Sequence, residues 1–177
     1  NQTRFYACFA LALSAVMAIA YAENLLTLFV FYEVLSLATY PLVTHAGTDK
    51  ARHGGRVYLG ILMGTSIAFF LPAIIITSFI SGTVSFTPGG ILPDDAPVWL
   101  LSLLLPLFVF GIGKAAMMPF HRWLPAAMVA PTPVSALLHA VAVVKAGVFS
   151  VVKILVYVFG LDTLSELAMT DYLLYLA

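Results

Sequence analysis

Residues 113–153 read GKAAMMPFHRWLPAAMVAPTPVSALLHAVAVVKAGVFSVVK, and two of their lysines decide the fold class. Lys114 closes the apolar run LLSLLLPLFVFGIG, and Lys145 sits in the middle of another, ALLHAVAVVKAGVFSVV. Runs of this kind suit a bilayer better than a water-facing fold. A lysine at the bilayer centre costs on the order of 3 kcal/mol, and a chain that keeps one there uses it to bind or relay an ion. Ion translocation is therefore the leading expectation from these residues alone.

Composition agrees. The chain has 177 residues, 62% of them hydrophobic and only 9% charged. Soluble domains carry roughly 25% charged residues, so a membrane protein is expected. The formal net charge is zero, which removes the usual electrostatic argument for nucleic acid. The single cysteine, Cys8, lies in an apolar run and reads as a small buried hydrophobe. The chain starts at Asn1, Arg4–Ala22 lacks a signal-peptide layout, and a fresh apolar run opens at Tyr172. A fragment of a longer protein is the expectation.

A membrane helix needs about 20 mostly apolar residues. Five stretches qualify, giving an all-α, polytopic transmembrane bundle in one membrane domain over residues 1–177. They cover about 5–22, 24–46, 57–80, 98–123 and 134–159, with a sixth beginning near 171. Arg4, Lys50, Arg52, Arg56 and Arg122 fall at ends that must share one side, which places the loop 47–55 in the cytoplasm. Trp99 and Trp123 read as anchors at opposite interfaces. The segment GTVSFTPGGILPDDAP, 82–97, reads as an extracytoplasmic loop.

Within the spans a few polar residues stand out. Glu33, in FYEVLSLATYPLV, needs a cation or a wet pocket, and Lys114 is its natural partner. Burial disfavours both charged forms while pairing favours both, so such a pair can switch. Pro119 and Pro125 follow Lys114 and predict a broken helix, a feature tolerated at membrane depth where it lines a cavity. Lys145 is too deep to reach either interface, and His139, which shares a face with Ser135, can pass protons toward it. His121 and Lys153 are weaker candidates, because His121 lies near the interface and Lys153 is close enough to a helix end to snorkel. His45 and His53 read as surface residues. Neither HExxH, a phosphate-binding glycine loop nor CxxC occurs, so no metal site, cofactor or catalytic redox site is expected in this chain.

These segments resemble the antiporter-like subunits shared by respiratory complex I, membrane-bound hydrogenases and Mrp-type cation/proton antiporters. FYEVLSLATYPLV is similar to the family's helix five with its glutamate, GKAAMMPFHRWLP to the broken helix seven, and APTPVSALLHAVAVVKAGVF to helix eight. The resemblance implies helices four to eight, the first of two inverted five-helix repeats. It implies that Glu33 pairs with Lys114, and that protons entering from the cytoplasm pass from Lys114 through His139 to Lys145. It further implies other membrane subunits as partners, protons and in some members sodium as the ion, and a prokaryotic cytoplasmic membrane. Where many members carry an acidic residue after WLP, this chain has Ala126. The competing expectation is a scaffold subunit that keeps its lysines without transporting.

Overall fold

The structure is a computed structural model that describes residues 2–93, 95–166 and 171. Among the described residues seven helices are labelled in chain order: α1 (Gln2–Ala20), α2 (Leu25–Val43), α3 (Asp49–Ser81), α4 (Val98–Gly111), α5 (Trp123–Ala127), α6 (Thr132–Phe159) and α7 (Leu161–Glu166). Four of them, α1, α2, α3 and α6, are long and apolar enough to cross a membrane. The fold is all-α, and the chain is an integral membrane protein. The stretch expected to open a sixth span lies outside the described residues apart from Asp171.

Local chemistry sets the ends of these helices. Asn24 caps α2 by accepting a hydrogen bond from the Thr27 N–H at 2.7 Å, and Thr48 caps α3 by accepting from the Ala51 N–H at 3.1 Å. Asp49 adds a negative charge to the first turn of α3, where it complements the helix dipole. Consequently α3 begins at Asp49, and the segment 47–55 is largely helix rather than loop. Hydropathy misses this turn because α3 is 33 residues long, about 50 Å. That exceeds a hydrocarbon core of about 30 Å, and the overhang carries the charges. At the far end Gly82, with φ +66°, closes α3 in the left-handed conformation, its N–H donating to Ser78 O at 3.1 Å.

α2 is the centre of the bundle, with α1, α3 and α6 against it. Its buried residues Leu25, Leu28, Tyr32, Leu35, Thr39 and Leu42 recur at helical spacing. Inside a bilayer, helix association depends on close fit more than on hydrophobic transfer, and small residues supply that fit. Ala12 and Ala15 of α1 are buried. Gly54 and Gly55 wedge α3 between Ala126 O on one side and Thr44 and Tyr40 on the other. The segment 82–93 straps one end of the bundle. Leu25 N–H donates to Val84 O and Phe86 N–H to Glu23 O, both at 2.9 Å, and the Ile91 and Leu92 N–H groups donate to Val158 O at 3.0 and 3.2 Å. The basic residues Arg4, Arg52 and Arg56, with Lys50 and Arg122, gather at the opposite end.

Candidate functional site

α4 is only 14 residues long, about 21 Å, too short to cross the hydrocarbon core by itself. It stops at Gly111, against whose Cα the backbone of Phe70 is pressed. The chain then makes a single 3₁₀ turn over Gly113–Ala115 and passes through Ala116 in the left-handed region at φ 57°. After the cis Met118–Pro119 peptide it re-enters helix at Trp123. The break thus begins at Ile112, ahead of both prolines. Pro119 lies within it, and Pro125 lies in the first turn of α5, where a missing N–H leaves no partner unsatisfied.

A break at this depth frees backbone groups that must find partners. Two aromatic side chains supply them. The Lys114 N–H donates to the Tyr32 hydroxyl at 3.0 Å, and the Trp123 indole N–H donates to Gly113 O at 2.9 Å. Trp123 is fully buried and stands edge-on to Tyr58, centroids 5.5 Å apart. The Tyr58 hydroxyl in turn lies 2.6 Å from Thr39 Oγ1. Gly147 of α6 closes the other side: a Cβ there would overlap Ala115 N and Lys114 C. The turn that carries Lys114 is therefore clamped between α2 and α6.

Lys114 is fully buried. Its ammonium donates to Ser36 Oγ at 2.7 Å and stands 3.2 Å from the centroid of the Tyr32 ring. Such a cation–π contact is worth about 0.5–2 kcal/mol. The Ser36 hydroxyl in turn donates a hydrogen bond to Tyr32 O at 3.3 Å. The partner expected from sequence, Glu33, is three residues before Ser36 on α2. Both its carboxylate oxygens are buried and accept no hydrogen bond among the described residues. The only ion pair among those residues is Arg52–Asp49 at 3.9 Å. Lysine and glutamate thus share a face of α2 without touching, and a serine occupies the lysine.

The other expected residues are spread along α6. His139 sits in a π turn over Leu137–Val141, closed by Ala142 N–H donating to Leu137 O at 2.7 Å, and its buried Nε2 has no partner among the described residues. π turns interrupt helices frequently at functional sites. Lys145 is exposed, two residues before the Gly147 that abuts the Lys114 turn. His121 is exposed on a cavity of about 500 Å³ between the break and α6. Lys153 is a helix cap. Its ammonium donates to Ala22 O at 2.6 Å and Ala20 O at 3.2 Å, closing the carbonyl end of α1. The structure thus brings Glu33 and Lys114 to one face of α2, and distributes His139, Lys145 and Lys153 along α6. Sequence reasoning missed Tyr32, Ser36, Thr39, Tyr58 and Trp123. The signal was present for three of them, since Tyr32, Ser36 and Thr39 recur on the buried face of α2.

A bundle of apolar spans around a broken helix with a fully buried lysine defines an integral membrane protein organised about an internal charge. The chain belongs to the family described as NADH:quinone oxidoreductase/Mrp antiporter, TM, which matches residues 22–177. It is 36% identical over 155 residues to a probable K(+)/H(+) antiporter subunit of Rhizobium meliloti (strain 1021), covering 85% of this chain and 15% of that protein. It is 32% identical over 164 residues to "NAD(P)H-quinone oxidoreductase chain 5" of Synechocystis sp. (strain ATCC 27184 / PCC 6803 / Kazusa), covering 86% of this chain and 24% of that one. Among solved structures, the Mrp complex from Dietzia sp. DQ12-45-1b superposes with a TM-score of 0.75 at 30% identity, covering 83% of this chain and 16% of that chain. The chain spans 15% and 24% of the length of these two curated relatives.

Proposed function

We propose that this chain carries part of a proton path through an antiporter-like membrane subunit, working within a multisubunit complex of the NADH:quinone oxidoreductase, hydrogenase or Mrp antiporter kind. Protons, with sodium as the exchanged ion in an Mrp-type setting, are the transported species. The observation that carries this reading is the Lys114 ammonium, fully buried at a helix break on one neutral hydroxyl and one aromatic face, while the Glu33 carboxylate, one turn from that hydroxyl on α2, accepts no hydrogen bond among the described residues. A merely structural lysine would be expected to hold the carboxylate. Here the ammonium donates to Ser36, and Glu33 stands one turn before Ser36 on α2 as the alternative acceptor. An anion at about 4 Å is worth roughly 4 kcal/mol at an effective dielectric of ~20, so the choice between them governs whether the lysine holds its proton. From Lys114 the path runs past the π turn at His139 to Lys145.

The test is proton flux in sealed vesicles carrying the full-length parent subunit in its complex. Lys114→Ala, Lys145→Met and Glu33→Gln are each expected to abolish coupled flux while leaving membrane insertion and assembly intact. Undiminished flux in the lysine variants establishes the scaffold reading instead. Subunits that purify with the parent protein distinguish the two settings, since flavin or iron–sulfur subunits mean a redox-driven pump and small Mrp-type membrane subunits mean an antiporter.

A further inference from the structure

At the basic end of the bundle the start of α1, the end of α2 and the start of α3 enclose a cavity of about 520 Å³. That volume lies within the range of small-ligand sites, roughly 300–1,000 Å³. Three arginines line it from two helices: Arg4 from α1, and Arg52 and Arg56 from α3. Arg52 and Arg56 are four residues apart and so share one helix face. Gly55 lets that face close on α2, for a Cβ there would overlap Thr44 Cγ2 and lie 3.1 Å from the Tyr40 ring. On the α1 side, the Phe5 ring next to Arg4 meets His45 edge-on, centroids 5.0 Å apart.

These arginines are short of anions. Arg52 reaches the exposed Asp49 at 3.9 Å, a distance that contributes little at a surface. Arg4 and Arg56 make no hydrogen bond or ion pair among the described residues. At the carbonyl end of α2, Tyr40 O accepts from Thr44 N–H at 3.1 Å and Leu42 O from His45 N–H at 3.3 Å, neither from an arginine. The preference of basic residues for one membrane side explains which end carries arginines, but not their convergence on one cavity. Guanidinium forks match phosphate oxygens bidentately. The cavity lies at the basic end of α1, α2 and α3, and basic side chains at the ends of spans meet the membrane interface, the depth of lipid phosphates.

We propose that this cavity binds the phosphate of an anionic phospholipid headgroup, through Arg4, Arg52 and Arg56 with Tyr40 beside them. Basic pockets between membrane helices are known to take such headgroups. The site is independent of Lys114 and does not rest on the proton path.

The experiment uses the full-length parent protein in its complex, reconstituted in nanodiscs of phosphatidylcholine with 20% phosphatidylglycerol (about one lipid in five), then released and weighed by native mass spectrometry. Wild type is expected to retain one phosphatidylglycerol more than the Arg52→Gln/Arg56→Gln double variant. The double variant's relative affinity should fall about 25-fold, or about fivefold per arginine at roughly 1 kcal/mol each. Lys50→Gln/Arg122→Gln removes the same charge from a separate cavity at the same end and should retain the lipid. Equal retention in both double variants would overturn the proposal. Thermal protection by millimolar inorganic phosphate equal to that by phosphatidylglycerol would also overturn the lipid assignment, in favour of free phosphate.

Discussion

Replacing Gly147 by alanine tests whether the Lys114 turn is clamped as described. A Cβ at 147 would lie 2.9 Å from Ala115 Cα and closer still to Ala115 N and Lys114 C. Ordinary contacts between such atoms are about 3.5–4.0 Å, so α6 and the turn must separate by roughly 1 Å. None of the three atoms is a flexible side-chain end, so the shift falls on the backbone that carries Lys114. Overpacking of this kind costs typically 1–3 kcal/mol, partly offset by the ~0.5–1 kcal/mol that alanine gains over glycine within a helix. The expected result is a net loss of about 1–2 kcal/mol. A 1 Å misplacement of a functional group can cost about 100-fold in rate, so flux should fall further than stability does. Gly60 and Gly64 of α3 provide the control. Nothing lies within 4 Å of a Cβ at either position, so alanine there should be neutral or slightly stabilising. The assay is thermal unfolding of the full-length parent in nanodiscs, with vesicle proton flux on the same preparations. If Gly147→Ala matches Gly60→Ala in both readouts, the clamp does not exist and the placement of Lys114 is wrong.

Further outcomes are expected from the same contacts. Ser36→Ala removes the hydroxyl that accepts from the Lys114 ammonium at 2.7 Å; a hydrogen bond to a charged group is worth about 1.5–3 kcal/mol, so flux should fall at least tenfold, with Ser36→Thr restoring part of it. Trp123→Phe keeps a ring against Tyr58 but orphans Gly113 O, which should cost about 1–3 kcal/mol in thermal unfolding; no change would mean that the indole is not closing the break. Lys153→Ala strips the cap from Ala20 O and Ala22 O and should lower stability by about 1–2 kcal/mol while leaving flux intact, with Lys153→Arg recovering most of the loss. A flux defect as deep as that of Lys145→Met would place Lys153 on the proton path instead of at the helix end.

Much of the helix order was legible because apolar runs of bilayer length are a one-dimensional property. Composition and run length suffice to show a membrane bundle and to bring Glu33, Lys114, Lys145 and His139 forward. The errors arise where length and hydropathy part company. α3 overhangs the bilayer, so its charged first turn from Asp49 reads as loop. α4 stops at Gly111 because Phe70 presses on it and because Tyr32 and Trp123 satisfy the freed backbone, none of which is local in sequence.

The partner of Lys114 is the clearest case. Charge type alone pairs it with Glu33, and proximity along α2 cannot separate Glu33 from Ser36, which are one turn apart. Sequence by itself determined that a lysine and a carboxylate lie within apolar, membrane-length stretches, since residue type and hydropathy are enough for that. Which acceptor the ammonium reaches was decided only by tertiary structure. Lys114 and Ser36 are 78 residues apart in the chain. Their 2.7 Å contact exists because a glycine of α6 and an aromatic hydroxyl of α2 hold a single 3₁₀ turn in one place.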